Sequence, residues 1–453
     1  MKIHFISIGG SVMHQLAIAL KRKGYQITGT DDEIFEPAAS NLRREGLLPE
    51  SVGWQPERLT ADLDAVILGM HAKADNPELQ RARDLNIPIY SFPEYIFKES
   101  VTKKRVVVGG SHGKTTTTAM IMHVLRAQGQ AFDYLVGARL EGFDQSVNIT
   151  DAPVIVCEGD EYPASTLERR PKFHFLFPHI AILTGIAWDH INVFPTFDNY
   201  LEQFAIFIGK IEPGGVLIYN ETDPVLAGLV NANRRDDISY LPYGILSNQI
   251  NEGRTTITID GVEGALNVFG AHNLLNMHAA WLVCRELGID AADFVKAIGS
   301  FTGAAKRLEL LGSSKRTIVY RDFAHAPSKL RATIDAVRTQ FPGKRLIAVF
   351  ELHTFSSLNE SFLTEYRGVM DAADDAAVFY SRHALELKRM PHLPKDTVAA
   401  GFGTSGLQVF NDREDLERWL DSRDYDNSVV LLMSSGTYDG LALEPFVERI
   451  TGN

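Results

Sequence analysis

VVVGGSHGKTTTTAM runs from Val106 to Met120: an apolar run, two glycines, a Gly-Lys-Thr step and a helix-compatible tail. The full phosphate-loop pattern would need glycine at Val108, so the strict match fails. A shortened form, Gly110-x-x-Gly113-Lys114-Thr115, is present. The alternative, an ordinary glycine-rich turn, gives no reason for Lys and Thr to follow the last glycine in the order that phosphate and Mg²⁺ binding require. Backbone N–H groups of Gly110, Ser111, His112 and Gly113 would cradle phosphate oxygens. Lys114 would neutralise charge moving during transfer, and the Thr115 hydroxyl would reach Mg²⁺. Thr116 is a second candidate phosphate contact, whereas Thr117 and Thr118 read as helix residues.

Mg²⁺ needs further oxygen ligands. PVIVCEGDEYPAS reads as a strand ending at Glu158, Asp160 and Glu161, and Glu158 is the favoured ligand. HIAILTGIAWDHINVF presents Asp189 and His190 at the end of another strand, with His190 expected on a second metal ion or a phosphate.

Short apolar runs alternate with amphipathic stretches on either side of this block. Before it, KIHFISI, YQITGT, DAVILG and IPIYS are separated by helical patterns up to about residue 100, which predicts a parallel sheet with right-handed crossovers. KESVTKKR then reads as a linker. Within the central block, PVIVCEG, KFHFLF, HIAILTG and GGVLIY read as strands, RTTITID and GALNVFG as hairpin strands, and HNLLNMHAAWLVCREL as a helix. From about residue 311 the alternation resumes: RTIVYRDFA before APSKLRATIDAVRTQF, KRLIAVFELH before NESFLTEYRGVM, and SVVLLMSSG before LALEPFVERI.

ISIGGSVMHQLA follows the first strand as in a dinucleotide fold. Ser7 and Val12 occupy the first and third glycine positions of the dinucleotide fingerprint, which argues against a nicotinamide oxidoreductase. Gly9 and Gly10 before a helix starting near Ser11 can still hold a diphosphate, with Asp31 and Asp32 at the end of the next strand within reach of a ribose.

The chain has 453 residues, 45% hydrophobic and 23% charged, with a net charge of −12 and no long basic run, so no role in nucleic-acid binding is expected. Cys157 and Cys284 read as small buried hydrophobes. The start MKIHFISIGG shows no leader pattern and no apolar run is long enough for a bilayer span. The expectation is a cytoplasmic protein without a membrane partner.

Taken together and in this order, IHFISIGG, GSHGKTTTTAM, EGDEYPAS, LTGIAWDHINVF, GAHNLLNMHAA, AKRLELLG and YRDFAHAPSKL resemble the Mur ligase family, the ATP-dependent amide ligases of peptidoglycan assembly. The resemblance spans almost the whole chain. It implies an α/β protein of three domains: an N-terminal Rossmann-like UDP-sugar domain (1–100), a central P-loop ATPase with a mixed sheet (101–310) and a C-terminal Rossmann-like domain (311–453). It implies ATP and Mg²⁺ as cofactors, with UDP-N-acetylmuramate and a peptide or amino-acid acceptor as partners; the expected state is a monomer or weak homodimer. It places Gly9, Gly10, Ser11, Asp31 and His71 on the sugar nucleotide. Asn273 would meet adenine, Arg307 and Asp322 the ribose or phosphates, and His325, with Lys114 and His190, the reacting groups.

DEYPASTLERRPKFHFLFP (160–178) and RDFAHAPSKL (321–330) are similar to members that attach L-alanyl-γ-D-glutamyl-meso-diaminopimelate to UDP-N-acetylmuramate. Members that add L-alanine typically carry Asp-Glu-Ser and Tyr-Gly-His at these places. L-alanine ligation is the alternative, and a P-loop ATPase acting as a regulatory switch is an alternative of another class. ELHTFSSLN (351–359) and MSSGTYDG (433–440) follow strands of the third domain and are candidates for holding the acceptor. Gly185, Asn192 and Ala271 depart from the family's usual Asn, acid and Glu.

Overall fold

The computed structural model describes residues 1–70, 72–137, 140, 142–188, 193–303 and 308–452. Two compact units emerge, one of Met1–Ile245 with Leu275–Ile298, the other of Leu246–Leu274 with Gly299–Asn453.

The first unit holds two sheets. β1 (Lys2–Ile6), α1 (Ser11–Arg22), β2 (Gln26–Thr30), α2 (Ala38–Arg44), β3 (Ala65–Leu68), α3 (Pro77–Asp84), β4 (Ile89–Ser91) and α4 (Phe92–Ser100) alternate along the chain. The strands pair in parallel in the order β2-β1-β3-β4. All four residues of β3 are buried, as expected where helices cover both faces. Helix starts are written locally. Asn76 accepts from the Glu78 and Leu79 amides before Pro77, and Ser91 forms a capping box with Glu94 before Pro93.

The second sheet comprises β5 (Lys104–Gly109), β6 (Asp133–Leu135), β7 (Val147–Asn148), β8 (Val154–Glu158), β9 (Ile180–Leu183), β10 (Val216–Asn220) and β11 (Ser239–Tyr243), with α5 (Lys114–Ala127), α6 (Phe197–Gly209) and α7 (Pro224–Ala232) between them. Its order is β11-β10-β9-β5-β8-β6-β7, parallel except for β7 against β6, so the sheet is mixed. β5 lies between β8 and β9, with Val108 opposite Glu158 and Gly109 opposite Leu183. That register sets the ends of three strands around one loop.

Two local expectations fail. KFHFLF is not a strand: Lys172–Phe175 forms a 3-10 turn after Pro171. Phe173, His174 and Phe175 are all buried in succession, held by partners on a neighbouring helix rather than by a strand ladder. Phe173 stacks on Phe207 at 4.6 Å, and His174 bonds the Gln203 carbonyl at 2.8 Å. KESVTKKR is not a free linker either. Lys103 reaches Asp133 (2.8 Å) and two carbonyls, and Arg105 reaches Glu212 (2.6 Å) and the Phe177 carbonyl (2.7 Å). Both cations are buried because each is fully engaged.

In the second unit, β12 (Asn248–Asn251), β13 (Arg254–Ile259) and β14 (Val262–Ala265) form an antiparallel sheet. α8 (Ala271–Glu286) starts here and continues into the first unit, which also holds α9 (Ala291–Ile298). The larger sheet contains β15 (Glu309–Ser313), β16 (Thr317–Asp322), β17 (Arg345–Glu351), β18 (Asp375–Phe379), β19 (Gln408–Phe410) and β20 (Ser428–Met433). Their order is β15-β16-β20-β17-β18-β19, with only β15 antiparallel. α10 (Pro327–Gln340), α11 (Arg382–Leu387), α12 (Lys395–Phe402), α13 (Arg413–Asp421) and α14 (Leu443–Thr451) complete it, and NESFLTEYRGVM contributes a 3-10 segment at Glu360–Tyr366. Apolar clusters line both faces of this sheet. Cys157 and Cys284 are buried free thiols. Among the described residues, no helix is long and apolar enough to cross a membrane.

Candidate active site

β5 stops at Gly109, the chain turns through Gly110–Gly113, and α5 starts at Lys114. Gly110 and Gly113 sit at φ +126° and +83°. A Cβ at Gly110 would run into the Thr184 hydroxyl, and one at Gly113 into the Asn276 amide. Conformation and space both demand glycine there. No side chain caps α5, so its first amides and its positive end face the loop. The loop is braced from behind. Thr184 donates to the His112 carbonyl, the Ser111 amide donates to Gly185 O (2.9 Å), and the Ser111 hydroxyl lies 2.9 Å from Tyr200 Oη. Gly113, Thr115 and Thr116 are half-buried, while Thr117 and Thr118 are in the core.

Lys114 curls back over this turn. Its Nζ donates to the Gly110 carbonyl and lies 2.8 Å from Glu161 Oε2. Their side chains are 14% and 1% exposed, so the carboxylate is buried and the ammonium largely so. Tyr200 Oη donates to the other Glu161 oxygen at 3.3 Å. Thr115 Oγ1 donates to Glu158 Oε1 at 2.8 Å, and Glu158 Oε2 accepts from the Gly137 amide at 2.9 Å. Asp160 instead pairs with Lys172 at 2.6 Å. The three acids thus take different partners: Glu161 the loop lysine, Glu158 the helix threonine, and Asp160 a neighbouring cation.

At the end of β1, the Gly9 amide donates to Asp31 Oδ2 at 2.7 Å, and α1 begins at Ser11 without a side-chain cap. Asp31 is 6% exposed. Burial, and then the neighbouring Asp32, push its carboxyl up to about 6 against the pull of the Gly9 N–H. The structure therefore brings Gly9, Gly10, Ser11 and Asp31 together.

In the second unit, Asn273 is buried with its amide on the Phe269 carbonyl (2.8 Å). Asp322 accepts from the Leu308 and Ala324 amides, both at 2.7 Å. His325 precedes α10 with Nδ1 on the Phe323 carbonyl at 3.0 Å. The loops after β17 and β20 meet: buried Glu351 accepts from the Ser434 hydroxyl and from the Tyr438 amide (2.8 Å), and His353 Nδ1 lies 3.7 Å from its other oxygen. Beside them is a cavity of about 390 Å³, with Arg321, Phe323, Ser434, Thr437 and Glu444 in its wall. His71, Asp189, His190, Asn192 and Arg307 lie outside the described residues.

Sequence reasoning missed Tyr200, and it gave no role to Thr184 and Asn276 within LTGIAWDHINVF and GAHNLLNMHAA; their place beside the loop reveals all three. It recognised Glu161 as one of three acids but not as the partner of Lys114. Gly185 has a physical cause: φ is +149°, and an added Cβ would sit 3.1 Å from Asp223 Oδ2. Asp223 Oδ2 also holds the Ile186 amide at 2.7 Å. Ala271 is exposed at the first turn of α8.

Three family models match in succession: "Mur ligase family, catalytic domain" over residues 2–98, "Mur ligase middle domain" over 108–284, and "Mur ligase, glutamate ligase domain" over 306–436. A UDP-N-acetylmuramate–L-alanine ligase of Aquifex aeolicus is 33% identical over 365 residues, covering 78% of each chain. The chain belongs to the Mur ligase family. It is an ATP-dependent acid–amino-acid ligase with the three-domain α/β fold of that family. Seven further relatives, 28–32% identical, bear the same name as the Aquifex protein. Among solved Mur ligases, UDP-N-acetylmuramate-alanine ligase of Thermotoga maritima superposes with a TM-score of 0.67 at 22% identity, over 100% of this chain and 99% of that one. A UDP-N-acetylmuramate:L-alanyl-γ-D-glutamyl-meso-diaminopimelate ligase from Neisseria meningitides superposes with a TM-score of 0.59 at 25% identity, over 66% of this chain and 98% of that one.

Proposed function

We propose that this Mur ligase joins the lactyl carboxylate of UDP-N-acetylmuramate to an amine, with ATP as the source of activation. Joining a carboxylate to an amine in water is uphill, and a carboxylate oxygen leaves poorly. Transfer of the γ-phosphoryl group to the carboxylate gives an acyl phosphate and ADP. The acceptor amine then attacks the acyl carbon, phosphate leaves, and the amine proton passes to solvent or a nearby base. Two anions must approach in the first step, so cations and aligned dipoles are what the protein has to supply. The single observation that carries this reading is the turn at Gly110–Gly113, with Lys114 folded over it and an uncapped helix N-terminus behind it.

Thr115 Oγ1 and Glu158 are hard oxygen donors within 2.8 Å of one another, a set that fits Mg²⁺, which commonly takes one or two protein carboxylates beside substrate phosphates. Bound there, the ion would screen the phosphate charge. Glu158 is pre-aimed by Gly137 N–H, and Lys114 moves from Glu161 to phosphate. Gly9, Gly10, Ser11, Asp31 and His71 are proposed for the sugar nucleotide, with its diphosphate at the glycine turn. Asn273, Arg307 and Asp322 are proposed for the nucleotide, His190 for metal or phosphate, and His325 for the reacting groups.

L-alanine is the acceptor that the curated relatives support. A second reading, the tripeptide L-alanyl-γ-D-glutamyl-meso-diaminopimelate, is favoured by Asp160-Glu161-Tyr162, by Phe323-Ala324-His325 and by the cavity after β20. About 390 Å³ lies in the range of roughly 300–1,000 Å³ usual for sites holding far larger ligands than alanine. Mass spectrometry of the product from UDP-N-acetylmuramate, ATP and either acceptor separates the two. A chain that hydrolyses ATP slowly and forms no amide with either acceptor would instead be a nucleotide-driven switch.

A further inference from the structure

One chain of hydrogen bonds in the first unit connects the glycine turn after β1 to the carboxylate beside Thr115. His14 lies one turn into α1 and is 4% exposed. Its Nδ1 is 2.8 Å from the Gly10 carbonyl. A carbonyl only accepts, so Nδ1 carries the proton. Burial also disfavours the charged ring, leaving Nε2 as an acceptor. The Gln15 amide donates to Nε2 at 2.8 Å, with the Asn41 amide at 3.3 Å. The oxygen of Gln15 accepts from the Ser146 amide at 3.3 Å, next to β7. The Ser146 carbonyl accepts from the Val136 amide at 2.9 Å. The following amide, Gly137 N–H, holds Glu158, and Glu158 holds Thr115.

We infer that His14 and Gln15 are positioning residues that couple occupancy of the Gly9–Gly10 turn to the aim of Glu158. This rests on the proposed reading of those two places as the sugar-diphosphate and nucleotide–metal sites. Neither side chain touches substrate in this scheme. Each bond in the series has its direction fixed by chemistry, so a change at one end constrains the next member. A diphosphate that orders the Gly9–Gly10 turn fixes the Gly10 carbonyl. That in turn fixes His14, then Gln15, then the β6–β7 hairpin, and with it the amide that aims Glu158. The nucleotide then meets a carboxylate already ordered and binds with a smaller entropic cost. By reciprocity, nucleotide tightens sugar binding by the same factor.

The test is calorimetric titration of Mg²⁺ and a non-hydrolysable ATP analogue into the full chain, with and without saturating UDP-N-acetylmuramate. The wild type is expected to gain about fivefold or more in affinity, the lower end of common coupling factors. Gln15→Met keeps the length of the side chain and removes both polar arms. It is expected to cut that factor below about twofold while each ligand alone binds as in the wild type. A companion measurement needs no variant: UDP-N-acetylmuramate alone should slow hydrogen exchange at the Ser146 and Gly137 amides of the wild type. An unchanged factor in Gln15→Met, or unchanged exchange at both amides, overturns the coupling and leaves the ligase reading intact. If the wild type binds neither ligand, the ligase reading fails and takes the coupling with it. Should Gln15→Met fail to fold, the exchange result on the wild type decides alone.

Discussion

Replacing Lys114 with Met removes one member of an ion pair and, in the same stroke, the cation proposed to meet the phosphate. The two effects are separable. With Lys114 gone, Glu161 keeps a hydrogen bond from Tyr200 but loses the lysine's charge at 1% exposure. Breaking a buried pair from one side costs about 3–5 kcal/mol. Loss of a preorganised electrostatic contact to the developing charge lowers kcat by about 10²–10³. The second substitution, Glu161→Gln, keeps the shape and an acceptor for Tyr200 while deleting the carboxylate's charge. Lys114→Met/Glu161→Gln is therefore expected to regain most of the lost stability and none of the lost rate. Urea unfolding followed by circular dichroism reads the first quantity, and phosphate release at saturating ATP and UDP-N-acetylmuramate reads the second. If the double variant recovers kcat along with stability, Lys114 is a scaffold residue and the phosphate role is wrong. If Lys114→Met stays within tenfold of the wild-type rate, the same conclusion follows.

Glu158→Gln retains an oxygen for Thr115 and is expected to fold, but to need about 10–100-fold more Mg²⁺ for half-maximal rate; an unchanged requirement would move the metal elsewhere. Gly185→Asn restores the family's usual residue in a chain whose backbone there has φ +149°, and should cost about 1–3 kcal/mol by urea unfolding; a neutral result would show that the turn relaxes freely. Asp31 holds its proton to about pH 6 in the folded state, whereas an unfolded Asp releases it near 3.9. Its contribution is fully present below the unfolded value and is lost as pH rises through about 6. Asp31→Asn should flatten that part of the stability profile; a slope identical to the wild type would assign the titration to another group.

The order of strands and helices was legible because parallel sheets covered on both faces write themselves as apolar runs between amphipathic stretches, and AVIL and SVVLLM are such runs. The caps of α3 and α4 carry local signals too, Asn-Pro and Ser-x-x-Glu, though no cap was read from them in the sequence. What escaped depends on partners far away in sequence. Lys103 and Arg105 look like linker charges until Asp133 and Glu212 arrive to neutralise them. KFHFLF has the composition of a strand, and only α6, packed on Phe173, rewards the tighter turn. At the loop, glycine, lysine and threonine announced themselves by spacing. The assignment of Glu158 to Thr115 and Glu161 to Lys114 follows from the register of β5 against β8, a quantity with no local signature.

That register also bears on how the site would choose its nucleotide. Without a ligand Lys114 already has two partners, the Gly110 carbonyl and Glu161, so phosphate binding is an exchange rather than a filling of open space. An incoming group must outcompete a carboxylate at 2.8 Å, and it must do so while Glu161 loses its cation. A singly charged phosphate offers little advantage over the carboxylate it displaces. A terminal phosphoryl group adds charge, and the α5 amides and Thr115 lie alongside to share it. The pair thus sets a threshold against weakly charged ligands, and neutralising it should flatten discrimination between triphosphate and monophosphate. Glu161→Gln is expected to bind AMP and ATP with a ratio closer to one than the wild type does. A ratio that stays the same would mean that Lys114 leaves Glu161 at no cost, and that selection lies in the metal and the outer phosphates alone.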